Sequence, residues 1–89
     1  MSEQRIVDSR TTDITAGPGG VMTVEVGVVT GELTLRTELS ADDQVTVRVQ
    51  YKDADEWYAV QGATAKLAAR ADLDAVHTIA VALLNRPEG

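Results

Sequence analysis

The chain has 89 residues, with 14 acids against 8 lysines and arginines and a net charge of −6. That length allows one hydrophobic core, and the charge balance opposes general binding to phosphate backbones, which relies on a basic surplus. Cysteine is absent, which excludes a disulfide framework and a thiolate metal site, and with no phenylalanine and only 3% aromatics the core must be aliphatic.

The opening residues, MSEQRIVDSR, are polar and acidic where a secretory leader would be apolar. No later run approaches the roughly 20 apolar residues of a membrane span. The expected location is therefore cytoplasmic, without membrane association. Residues 1–20 alternate poorly and end in the breaker cluster Ala16-Gly17-Pro18-Gly19-Gly20. They read as a flexible arm, with Ile6-Val7 or residues 11–15 contributing at most a short strand. A single domain is expected over residues 21–89.

From Val21 the hydrophobic period is two. Met22, Val24, Val26 and Val28 alternate with Thr23, Glu25 and Gly27, and Leu33, Leu35 and Leu39 come next. A two-residue turn at Thr30-Gly31 would pair Val28 with Leu33, Val26 with Leu35, Val24 with Thr37 and Met22 with Leu39, placing the valines on the inner face. After a polar loop over 40–44, Val45, Val47, Val49 and Tyr51 form the next strand, with Leu39 opposite Val45, Thr37 opposite Val47 and Leu35 opposite Val49. A tight turn at Asp53-Ala54 then sets Gln50 against Trp57, Val49 against Tyr58 and Val47 against Val60. Both tyrosines face the core and Trp57 faces outward.

Residues 63–71 are ambiguous, since their alanines favour helix but Leu67 is out of phase with the apolar stripe that begins at Leu73. From Asp72 a helix is expected, with Asp72 as cap, Leu73, Val76, Ala80, Leu83 and Leu84 on one face, Arg86 in the last turn and Pro87 as stop. The fold class is α+β, a four-stranded antiparallel meander sheet with a C-terminal α-helix packed on one face. Four strands about 4.8 Å apart are wider than one helix of about 10–12 Å, so part of a flat sheet would stay bare. The N-terminal arm, a helical turn within residues 63–71 or a second subunit would cover it; a homodimer is the expected solution and a monomer closed by its own arm the alternative, with unpaired strand edges a second route to self-association.

On the outer face this register makes two rows, Glu25, Arg36, Arg48 and Ala59, then Gly27, Thr34, Gln50 and Trp57. Arg36 opposite Arg48 is a like-charge pair that needs a carboxylate nearby, and Glu25 is the expected one. The face reads either as an ordinary solvated surface or as a docking patch built from Arg36, Arg48, Gln50 and Trp57, residue types common at binding hot spots. Asp53, Asp55 and Glu56 are spaced like the start of a calcium loop, but Tyr58 and Thr64 stand where glycine and glutamate are required, so no metal is expected. His77, flanked by Asp74 and Thr78, has no sequence partner for base catalysis and reads as helix-margin packing. The glycine cluster lacks the lysine and hydroxyl of a phosphate loop.

These residues point to a noncatalytic protein-interaction or regulatory module, not an enzyme and without cofactor. Its partner would be a protein, met through the Trp57 face or a strand edge. The alternative is a single-stranded nucleic-acid-binding sheet, with Trp57 stacking on a base and the arginines meeting phosphates, against which the overall charge argues.

Overall fold

A computed structural model describes residues 5–88. Four antiparallel strands, β1 (Ile6–Thr23), β2 (Gly27–Ser40), β3 (Gln44–Tyr51) and β4 (Tyr58–Lys66), lie in sequence order, and a short 3₁₀ turn (Arg70–Asp72) leads into helix α1 (Leu73–Leu84). The meander curls until β1 meets β4, closing a barrel. The closing ladder is short, with Thr23 opposite Val60 and the Val24 N–H donating to the Ala59 carbonyl beside it. Among the described residues no helix is long and apolar enough to cross a membrane.

The β2–β3 ladder has the expected register, with Leu39 opposite Val45, Thr37 opposite Val47, Leu35 opposite Val49 and Arg36 opposite Arg48. Val49 also meets Tyr58 as expected. The anticipated Val47–Val60 pair is replaced by a bulge: residues 60–63 of β4 stand against Val47 alone, and Gly62 adopts φ 79° within it. Residues 63–71 are not helical at their start, because β4 runs on to Lys66.

The first hairpin departs from expectation. Its turn is not at Thr30-Gly31 but at Val24-Glu25-Val26, so Met22 pairs with Val28 and Val21 with Val29. A two-residue turn of the hairpin type would force a positive φ on the β-branched Thr30, whereas the three-residue loop asks it only of Gly27, at φ 76°. Thr23 helps: its Oγ1 donates to the Gly27 carbonyl at 2.7 Å and accepts the Val26 N–H at 3.1 Å. Residues 6–20, read as a flexible arm, are instead the bulk of β1, paired with β2 from Ile6 to Ala16. The breaker cluster is absorbed as a bulge in that strand, with Gly20 at φ 67°.

This shift changes which valines are inside. Val29, Leu33, Leu35 and Leu39 of β2 are buried with Ile14, Ala16 and Val21 of β1 and with Val45, Val47 and Val49 of β3. Met22, Val24, Val26 and Val28, which a turn at Thr30-Gly31 would have placed in the core, are 48%, 66%, 52% and 50% exposed. Since a curled sheet wraps its own apolar face, the inner valines need no second subunit to cover them.

Helix α1 packs on the inner face of β1 and β2. It buries Leu73 and partly buries Val76, Ala80, Val81 and Leu84, while Leu83, expected in the stripe, is exposed. Asp72 makes no side-chain cap, and Arg86 lies beyond the helix, where its N–H donates to the Thr15 carbonyl. Asn85 Oδ1 accepts the Thr15 N–H at 2.9 Å, so the helix end is tied to β1. Between β3, β4 and α1 lies an apolar groove of about 260 Å³, lined in part by Val45, Ala63, Val76 and Ile79.

Candidate functional site

The four residues singled out on the outer face do come together. Arg36 and Arg48 face each other across β2 and β3, Gln50 sits opposite Thr34, and Trp57, in the loop just before β4, lies under the Arg36 guanidinium at 4.2 Å from its ring centroid. That stack is a cation–π contact, which occupies one face of the indole. The carboxylate relieving the arginine pair is Glu38, not Glu25. It accepts from Arg48 Nε at 2.9 Å and lies 3.7 Å from Arg36 Nη1, with its own side chain largely buried. Strand geometry explains this: Glu38 shares the outer face with Arg36 at spacing two, a pairing sequence reasoning passed over. Arg36 Nε is buried without a hydrogen-bond partner. The patch thus satisfies most of its own charge.

Glu25 has a different task. Its Oε1 accepts the Ala59 N–H at 2.9 Å, beside the Val24 N–H to Ala59 carbonyl bond at 2.9 Å. These two bonds fasten the β1–β2 loop to the start of β4, while the two Thr23 bonds brace the loop internally. Met22, Val24, Val26 and Val28 are displayed outward at this hairpin tip. Nearby, Tyr51 is exposed at the barrel mouth, and the Tyr58 hydroxyl donates to Glu56 Oε1 at 3.1 Å. That hydrogen bond, with burial and the charges of Glu56 and Glu25, raises the Tyr58 pKa above its ordinary value.

His77 is the other polar feature. As expected it packs at the margin of the helix, where it bridges two strands: Nε2 is 2.7 Å from Thr12 Oγ1 and Nδ1 is 2.9 Å from Thr37 Oγ1. Burial first, and then the positive charge of Arg10, lower its pKa, with Asp74 opposing. Arg10 itself bridges Asp8 and Asp74, and its hydrogen bond holds the Asp8 carboxyl below the usual range. Thr37 is fully buried, which makes this a docking contact for α1 with no route for a substrate to Thr37. Among the described residues no group of three or more histidines and acids could hold a metal ion.

Compared with protein families, curated proteins and solved structures, the chain matches none.

Proposed function

We propose that this chain is a noncatalytic protein-interaction module whose contact surface is the braced β1–β2 loop and the barrel mouth beside it. The observation that carries the proposal is the exposure of Met22, Val24, Val26 and Val28 at a hairpin tip, two in its loop and two paired across its strand ends, held by side-chain and backbone bonds to Gly27 and Ala59. Full burial of such side chains yields roughly 1.5–3 kcal/mol each, and at about half exposure the monomer forgoes about half of that. A loop fixed before contact loses little freedom on binding, so most of that gain is available to a complex. The outer face around Trp57 supports the proposal less, because Glu38 and the indole already engage both arginines. The nucleic-acid alternative has the same weakness, since one stacking face of Trp57 is covered.

The experiment is site-specific photocrosslinking in the source cell. A crosslinker at Val26 should give a discrete adduct, and one at Asp13, on the opposite half of β1, should not. Equal adducts from both positions, or none from Val26, would remove this surface from consideration.

A further inference from the structure

We propose that the partner presents a basic segment with interspersed apolar side chains to this end of the barrel. This rests on the interaction reading above and adds the chemistry of what binds. Tyr58 feels the charges of Glu56, Tyr51 and Glu25, and Lys52 bridges Glu32 at 3.6 Å, which places the β1–β2 loop, the start of β4 and the β3–β4 loop at one end. Five acids, Glu25, Glu32, Asp53, Asp55 and Glu56, stand there with Lys52, while Arg36, stacked on Trp57 at the rim, is already matched by Glu38. Setting that matched pair aside, five acids and one lysine give −4, against −6 for the whole chain.

The acids are also uncompensated. Elsewhere Glu38 takes Arg36 and Arg48, Asp8 and Asp74 share Arg10, and Asp43 takes Arg70. At the barrel mouth Glu32 has Lys52, and among the described residues Glu25, Asp53, Asp55 and Glu56 have no cationic partner. An apolar centre rimmed by one sign of charge is complementary to a ligand with an apolar centre and the opposite rim. A second copy meeting this end about a two-fold axis would set five acids against five, and an anionic lipid surface would meet the same repulsion. A polypeptide segment mixing lysine or arginine with leucine-like residues answers both features.

The test uses the full chain and a fluorescein-labelled 16-residue peptide of lysine and leucine at helical spacing, read by anisotropy. Two control peptides replace lysine by glutamate, or leucine by glycine. The lysine–leucine peptide should bind at least about tenfold more tightly than either control, and weaken steeply with added salt. Val24→Ser with Val26→Ser should weaken it about tenfold with the salt dependence kept. Asp53→Asn with Asp55→Asn should weaken it and flatten that dependence. No binding, equal binding by either control, or indifference to both variants overturns the proposal. A Val26 crosslink to a partner lacking a basic segment, or to a second copy, overturns it too while leaving the interaction reading standing.

Discussion

Replacing Gly20 by alanine tests the bulge in β1 that packs against β2 ahead of the first hairpin loop. Gly20 sits at φ 67°, and a Cβ there would run into the Val28 side chain while lying 2.7 Å from the Val29 carbonyl oxygen and 2.9 Å from Thr30 Cγ2. The left-handed backbone costs an alanine about 1–2 kcal/mol. Overpacking against a backbone oxygen that cannot swing away adds about 1–3 kcal/mol. A loss of about 3 kcal/mol lowers the melting temperature of a domain this size by about 12–24 °C. Two neighbours grade the comparison. Gly27 has a positive φ but open space, so Gly27→Ala should show only the backbone cost, about 1–2 kcal/mol. Gly19 has open space and no positive φ, so Gly19→Ala should be neutral or gain about 0.4–1 kcal/mol. Calorimetric or urea melts of the three variants give the order directly. If Gly20→Ala is no worse than Gly27→Ala, the bulge does not pack under Val28 and Thr30, and the loop orientation falls with it.

The polar contacts give three further outcomes. Because burial holds the folded His77 pKa below 6.5, the unfolded chain takes up the proton first. That part of the stability is complete above about pH 6.5 and is lost as pH falls from there through the folded value; urea melts of His77→Gln should lack this loss. Thr37→Val leaves His77 Nδ1 facing an apolar group in a buried site and should cost about 1–3 kcal/mol by the same melts. Glu38→Gln leaves Arg36 and Arg48 opposed without a carboxylate and should cost about 1–2 kcal/mol, with a melting temperature that rises on adding salt where the parent's changes less.

The pairing of β2 with β3 was fully legible, because Leu35, Leu39, Val45, Val47 and Val49 fix one face and a slip by one residue would bury Arg36 and Arg48. The first hairpin was misread because period two states which residues share a face and not which face is the core. Met22, Val24, Val26 and Val28 share a parity, but an uninterrupted β2 needs Val29, Leu33, Leu35 and Leu39 together, which is the other parity. Thr23 with Gly27 four residues later was the available signal for a three-residue loop. Residues 6–16 carried too few aliphatics to declare themselves; their threonines supply strand backbone, while Ile14 and Ala16 alone supply core. The Arg36–Trp57 neighbourhood was legible from register. The helix-to-sheet contact of His77 was not, since it depends on Thr12 and Thr37 arriving from strands far away in sequence.

A wall sealed by one ladder pair and the two bonds to Ala59 beside it has a kinetic consequence. Adjacent hairpins can assemble from local pieces, but Thr23 can meet Val60 only after every intervening strand is in place. That seam is expected to close late in assembly and to open ahead of the β2 interior. The amide protons of Val24 and Ala59 should therefore exchange with heavy water sooner than those in the middle of β2, and Glu25→Ala, which removes the Ala59 acceptor, should hasten both while leaving the β2 interior slow.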